Sequence, residues 1–281
     1  MIHLVCVCGG GDAALLPHLI AHYRGLGIES FRLIRHAETT ADPAFELLEH
    51  HARACGVELF HTHVGPWDQN LNERLTEYVM SLRPDDWYVV VDLDEFQVYD
   101  RPPTELVALC EREEYEYVTG CFLDRVAADG SFPPIDDTQL WGRYPLAGSV
   151  GASLAKALPL KVTLARGRVG LLSGHHGAAD GPGLPVHRGF AQVHHFKWTE
   201  SVVERMRRRV ERFSTGSWKV FHPAVIKEAR AVLGHIEAND GRIDVRDERL
   251  RLRPCGSSYD DHPLWKELAD EAHGWSWTLT Y

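Results

Sequence analysis

Three acids crowd the end of an apolar run in this chain. Asp92, Asp94 and Glu95 lie in Asp-Trp-Tyr-Val-Val-Val-Asp-Leu-Asp-Glu-Phe, residues 86–96. Residues two apart on a strand point to one side, so Asp92 and Asp94 are expected to converge while Leu93 turns back into the core. Two carboxylates so placed repel unless a cation lies between them. Mg²⁺ or Mn²⁺ suits that place, because either takes a few hard oxygen ligands and leaves its other positions to phosphate oxygens and water. Such an ion would neutralise a departing diphosphate. The plainer reading is a solvated strand end or a cap on the next helix. The doubly apolar strand before the acids favours chemistry.

Other residues could serve the same chemistry. Histidine is abundant at 17 copies, with the pairs His50-His51, His175-His176 and His194-His195. Most of these should be structural or exposed, but the count makes metal binding worth testing. Lys161, Arg166 and Lys197 lie near strand ends of the second half, where they could neutralise phosphate; surface solvation is the plainer fate of each. Gly9-Gly10-Gly11-Asp12 would let backbone approach a nucleotide. Trp67, Trp141 and Trp198 could stack on a base or sugar, although tryptophans are more often core or rim. Six cysteines are scattered without a Cys-x-x-Cys pair, and Cys6 and Cys8 read as small core residues.

The elements that must position these groups alternate in the first half. Residues 2–8 read as a buried strand, then a glycine turn with Asp12 as N-cap of a helix carrying Leu16, Leu19, Ile20 and Tyr23. Strands are expected over 30–35, 57–62 and 87–91, and helices over 43–55, 68–82 and 104–114. This order implies right-handed crossovers and a doubly wound, mostly parallel sheet that binds ligands at the carboxyl ends of its strands. The second half is less regular, with strands over 115–126, 161–165, 169–172 and 191–196. A Gly-, Pro- and His-rich loop over 174–189 is expected to lie across the site. A helix begins near Ser201, where Ser201 and Glu204 fit a capping box and Val203, Met206, Val210 and Phe213 mark the buried face. Arg205, Arg207, Arg208, Arg209 and Arg212 crowd that helix over 205–212. A solvated face is the plainer reading, and peripheral contact with an anionic acceptor or membrane surface the sharper one.

Composition sets outer limits. The 281 residues suit one large α/β domain or a domain with an appended segment; 44% are hydrophobic and 25% charged. The formal charge of −10 argues against a protein built to grip nucleic acid. No apolar run is long enough to cross a bilayer, and the N-terminus reads as a first strand and not as a signal peptide, so a cytoplasmic location is expected.

The motif at 86–96 resembles that of bacterial family-2-like glycosyltransferases of the GT-A fold, which carry a Trp, a hydrophobic run and Asp-x-Asp-Glu-Phe. Residues 16–27, 120–125 and 193–198 look similar to further family segments, so the resemblance spans about 2–215. It implies a transferase domain over 1–215, with a donor half to about 100 and an acceptor half to 215, followed by a helical or irregular extension over 216–281. It also implies a nucleotide-sugar donor, Mn²⁺ or Mg²⁺, and transfer of a glycosyl group to the hydroxyl or amine of a small-molecule or glycan acceptor.

By the same resemblance, Asp94 would bind the metal directly, and Asp92 would face the ribose or bind the ion through water. A late histidine would complete the shell; His195 matches best, with His194 as alternate and His175 and His176 weaker. Asp124 would be the general base, with Asp136 and Asp137 in reserve; the plainer role for Asp124 is an ion pair with a neighbouring arginine. Arg35, Gly9 and Lys197 would lie against the donor. The stretch Arg35-His36-Ala37-Glu38-Thr39-Thr40-Ala41-Asp42 departs from the acidic, serine-rich turn typical of the family. Rival readings are a Mg²⁺-dependent nucleotidyltransferase, which would normally show a lysine in its glycine-rich start, and a catalytically inactive sugar- or nucleotide-binding module. A zinc hydrolase is disfavoured because no His-Glu-x-x-His pattern is present.

Overall fold

The computed structural model describes residues 1–136, 139–221, 224–259, 261–262 and 265–276. The first half runs β1 (Ile2–Gly9), α1 (Leu16–Gly25), β2 (Ser30–Ala37), α2 (Pro43–Ala54), β3 (Leu59–Val64), α3 (Leu71–Ser81), β4 (Trp87–Asp92), β5 (Glu95–Tyr99) and α4 (Pro103–Glu113). The chain continues through β6 (Tyr117–Val126), α5 (Leu140–Arg143), β7 (Leu146–Gly148), β8 (Leu160–Arg166), β9 (Ala191–His195), α6 (Val202–Ser214), α7 (Ala224–Ala238), β10 (Arg253–Pro254) and α8 (Trp265–Ser276). Two compact units result: Met1–Gly120 with Lys161–Ala191, and Cys121–Leu160 with Gln192–Tyr281.

The first unit is α/β with a mixed, mostly parallel sheet. Strands β3, β2, β1 and β4 lie side by side in parallel, and β8 joins the far side of β4 antiparallel. Both faces of β1 are buried, which is why its sequence is apolar without alternation. Val5 and Val7 pack in one cluster with Leu71, Leu75, Val79 and Met80 of α3 and with Tyr88 and Val90 of β4. Leu4, Cys6 and Cys8, on the alternate face, are fully buried. From β1 the chain winds outward through β2 to β3, then returns to place β4 on the opposite side of β1. The switch in strand order therefore falls between β1 and β4, where open α/β sheets form their ligand crevice.

The second unit pairs β6 with β7 and β7 with β10, all antiparallel. Its core joins Val126, Val150, Trp198, Met206, Val232, Ile236 and Leu252. At Gly148 a Cβ would stand 2.4 Å from the carbonyl oxygen of Leu250, so backbone meets backbone there and only glycine fits.

Several expected elements shift. Residues 169–172 form no strand; Leu171 makes only an isolated bridge to Ala178. Helix α3 starts at Leu71 and not at 68. The turn after β1 is a 3-10 helix from Gly10, and Leu15 holds the N-cap position of α1, so Asp12 does not cap it. Ser201 occupies the N-cap of α6 without a side-chain capping bond; its hydroxyl meets Thr199 Oγ1 at 3.2 Å. The capping-box geometry is therefore not formed. No helix among the described residues is long and apolar enough to cross a membrane.

Candidate functional site

In the first unit the acids stand at the switch point. Strand β4 ends at Asp92, which lies opposite Val7 of β1. Leu93 and Asp94 form a turn and Glu95 opens β5. Strand alternation therefore does not relate Asp92 to Asp94, contrary to the sequence argument, although Leu93 is buried as expected. The turn is fixed from behind by β5. Tyr23 of α1 donates its hydroxyl to the Glu95 carbonyl at 3.1 Å and accepts the Gln97 N–H at 2.9 Å. The Gln97 side-chain amide reaches back to the Val90 carbonyl at 2.8 Å.

The cation beside these carboxylates is a lysine. Strand β8 pairs with β4 so that Trp87 faces Arg166 and Val89 faces Leu164. Continued three residues further, that register sets Lys161 opposite Asp92. Lys161 Nζ donates to Asp92 Oδ2 at 2.8 Å and to Glu95 Oε1 at 2.7 Å. Glu95 Oε2 accepts the Asp92 N–H at 2.9 Å and closes the turn. Lys161 and Glu95 are fully buried, whereas the Asp92 side chain keeps 29% exposure. Surface solvation, the plainer expectation for Lys161, does not occur, because burying the ammonium requires these two carboxylates. Burial opposes charge on Asp92, yet Lys161 more than offsets it and holds the carboxyl below its usual range. The carboxylates in turn hold Lys161 above its usual value against burial.

His175 lies in the same unit, within electrostatic reach of Asp92 and Lys161. It is 1% exposed and has a left-handed φ of +59°. Neither ring nitrogen has a hydrogen-bond partner; the Asn72 backbone approaches without hydrogen-bond geometry. Burial, then the Lys161 charge, pushes its pKa down to about 3, so the imidazole is neutral and can serve as a ligand near pH 7. Helix α3 supplies the neighbours. Asn72 Nδ2 points to Asp92 Oδ1 at 3.4 Å, and Ser173 Oγ meets Asn70 Oδ1 at 3.2 Å. Glu73 stands beside the Ser173 hydroxyl and the Gly174 backbone, and burial pushes its carboxyl pKa up.

A buried imidazole without partners needs an explanation, and a bound ion is one of few available. Among the described residues no three His, Cys, Asp or Glu side chains stand close enough to hold a metal by themselves. Mg²⁺ or Mn²⁺ often takes one or two protein ligands and completes its shell with diphosphate and water. Asp94 and His175 each lie within electrostatic reach of Asp92.

The second unit gathers another group. Asp124 on β6 is 3% exposed and accepts three N–H donors. Gly151 N–H reaches Oδ2 at 2.6 Å, while His195 Nδ1 and the Trp198 indole each reach Oδ1 at 3.2 Å. Burial alone would raise this carboxyl, but the His195 hydrogen bond and charge, the Gly151 N–H and the Lys197 charge hold it below the usual range. Arg125 does not pair with Asp124, as the plainer reading had it. It is fully buried and donates to the carbonyls of Tyr144, Cys255 and Gly256 at 2.8–3.1 Å. His194 is fully buried, with Nε2 3.2 Å from Gln192 Oε1 and its ring edge-on to Trp141. His195 is half-buried and lies against the Phe122 ring.

The remaining candidates are placed as follows. Arg35 reaches α2, donating to the Phe45 carbonyl and Glu49 Oε2, both at 3.0 Å, with its guanidinium 3.5 Å from the centre of the Phe45 ring. Gly9 has an ordinary φ of −128°, and a Cβ there would meet only His36 at normal contact distance. Lys197 lies over the Trp198 ring. Asp136 pairs with Arg143 at 2.6 Å, and Asp137 lies outside the described residues. Arg166 is half-buried against Trp87. In α6, Arg205 turns inward to the Lys197 carbonyl while Arg207 is exposed. Sequence reading missed Asn72 and Glu73 and gave Lys161 and His175 lesser roles. The β8 register could have found Lys161, but no local pattern marks α3 as its partner element.

No protein-family model matches the chain, and no curated protein matches it. Several solved structures are distantly similar. A candidate glucose-1-phosphate thymidylyltransferase from Bacillus anthracis, solved with sucrose, shares 12% identity at a TM-score of 0.29; the match covers 47% of this chain and 58% of that one. Residues 1–349 of TarS from S. aureus share 11% identity at a TM-score of 0.34, over 88% of this chain and 76% of that one. An apo UDP-glucose pyrophosphorylase shares 9% identity at a TM-score of 0.29, over 98% of each chain. The likenesses are remote, and the chemistry rests on the site itself.

Proposed function

We propose that this protein is a metal-dependent glycosyltransferase that moves a sugar from a nucleoside-diphosphate donor to the hydroxyl or amine of a small-molecule or glycan acceptor. The observation that carries the reading is the Asp92–Asp94 turn at the switch point between β1 and β4, with neutral, unpartnered His175 near the half-exposed Asp92. Parallel sheets bind ligands at that edge. The resemblance of residues 86–96 to the GT-A signature supports the same reading.

Asp94 and His175 would hold Mn²⁺ or Mg²⁺, which when bound neutralises the diphosphate leaving group. Asp92 keeps an open face toward ribose or metal-bound water, and Lys161 with Glu95 keeps that carboxylate ionised and oriented. The arginines of α6 offer contact to an anionic acceptor or membrane surface, and no nucleic-acid partner is expected.

Thermal melting with UDP, GDP, dTDP and CDP, each with and without Mn²⁺, tests the reading. A shift with one diphosphate only when metal is present supports it and names the donor base. No shift with any of the four removes it.

A further inference from the structure

At the amino end of the first unit's sheet, away from the acid turn, a serine, a histidine and an aspartate are wired in series. His3 of β1 lies directly opposite Ser30 of β2 in the parallel register, and Asp86 immediately precedes β4 on the other side of β1. His3 Nδ1 is 2.7 Å from Ser30 Oγ, and His3 Nε2 is 3.1 Å from Asp86 Oδ2. The imidazole is fully buried, with the Tyr88 ring 5.1 Å from it. Hydrogen bonds from His3 and from the Met1 ammonium hold the Asp86 carboxyl below its usual range, so it is ionised near pH 7. An ionised carboxylate only accepts, which places the ring proton on Nε2. Burial lowers the His3 pKa and keeps the ring neutral, so the Nδ1 lone pair is left to accept the Ser30 hydroxyl proton. That is the wiring of an activated nucleophile: hydroxyl, base and a carboxylate that fixes the tautomer.

The serine of this relay faces space. Ser30 lines a cavity of about 440 Å³ together with Arg24, Glu29, Arg32, Glu58 and Phe60. Arg32 stands two residues along β2 from Ser30, on the same face, and within electrostatic reach of His3. Its guanidinium rests 4.7 Å from the centre of the exposed Phe60 ring. A cation so held can stabilise the oxyanion that forms when a hydroxyl adds to a carbonyl. The charged lining suits a small acyl group on a polar alcohol and not a long apolar chain.

We infer that Ser30, His3 and Asp86 form a second catalytic site that hydrolyses short-chain carboxylic esters. It is independent of the transferase reading. Ser30 Oγ bonds to the carbonyl carbon as its proton passes to His3 Nδ1. The bond from that carbon to the alcohol oxygen then breaks; the electron pair leaves on that oxygen, which takes the proton from His3. Water repeats the sequence on the acyl-serine: its proton goes to His3 Nδ1, its oxygen bonds to the carbonyl carbon, and Ser30 departs with the proton. The products are the alcohol and the carboxylic acid.

The test uses the full chain, p-nitrophenyl acetate and butyrate, and a fluorophosphonate that labels activated serines, with the adduct mapped by mass spectrometry. The label should fall on Ser30, and EDTA should not change its rate. Ser30→Ala removes a single oxygen and should abolish the adduct and lower ester hydrolysis by about a hundredfold or more. His3→Gln should slow labelling of Ser30 by about a hundredfold, which a merely structural histidine would not do. If His3→Gln does not fold, Ser30→Ala and the adduct map decide alone. A wild-type protein left unlabelled, a label on another residue only, or ester hydrolysis unchanged in Ser30→Ala would each overturn the proposal and leave the transferase reading untouched.

Discussion

Lys161 Nζ stands 2.8 Å from Asp92 Oδ2, with its other carboxylate contact 2.7 Å away on Glu95. The ammonium is buried and Asp92 is half-open, so the pair converts a buried charge into a carboxylate pinned at the sheet edge. Its energetic value lies in what happens when one partner is removed. Lys161→Met should destabilise the protein by about 3–5 kcal/mol, the scale for leaving buried charge uncompensated. Denaturant unfolding measures it. A cost under about 1 kcal/mol would mean that water replaces the ammonium and that the pair does not organise the turn.

Asp94→Asn should remove metal-dependent binding of the donor diphosphate while leaving the melting temperature of the free protein nearly unchanged. Asp94 sits in the turn, and the Lys161 ammonium is held by Asp92 and Glu95, so loss of Asp94 should not unpin β4. Calorimetric titration of Mn²⁺ with UDP or the diphosphate identified by melting reads this directly. Unchanged affinity would strike Asp94 from the ligand set.

His175 links the site to pH. Its folded pKa of about 3 lies below the unfolded value of 6.5, so the unfolded chain binds the extra proton first. The stability tied to the neutral ring is complete above about pH 6.5 and is lost progressively as pH falls toward 3. Other buried histidines with lowered pKa values, His22 and His262 among them, act in the same direction. Melting temperature should therefore fall between pH 6.5 and 4, and His175→Asn should flatten that fall. An identical slope in the variant would show that the ring is not held neutral by the fold.

The left-handed backbone at the same residue makes a separate prediction. At φ +59° an L side chain is strained by roughly 1 kcal/mol or more, which glycine does not feel. His175→Gly should be more stable than His175→Ala by about 1 kcal/mol, while both lose metal-dependent binding. Equal stability would mean the loop relaxes once the ring is gone.

Arg125→Lys examines the second unit. A lysine cannot reach three carbonyls in the guanidinium's planar fork, so buried acceptors at Tyr144, Cys255 and Gly256 lose donors. The expected cost is about 2–4 kcal/mol, from the penalty of unsatisfied buried groups. A near-neutral effect by urea unfolding would show that water enters there.

Much of the first unit was legible in the chain itself. Apolar runs at 4–8 and 87–91 read as strands covered on both faces, and glycines at 25 and 27 marked the end of the first helix. The same reasoning located Asp92 at a strand terminus, because the apolar run stops there. What followed was not legible. The chain turns immediately at Leu93 and Asp94 and starts β5, since Tyr23 and Gln97, far apart in sequence or pointing back to Val90, fix the backbone there. Period-two alternation holds only along a strand, so the convergence argued for Asp92 and Asp94 had no support once the strand ended.

Tertiary structure alone decided the partners. Lys161 reaches Asp92 through an antiparallel register 69 residues distant, and a single sequence carries no local mark of such pairing. His195 and Asp124 meet across 71 residues, on different strands, with Trp198 sharing the same oxygen. The sequence determined which residue types were present and where strands ended, because periodicity and turn chemistry are local. Which charges neutralise one another depends on long-range register and burial, and those exist only after the chain has closed on itself.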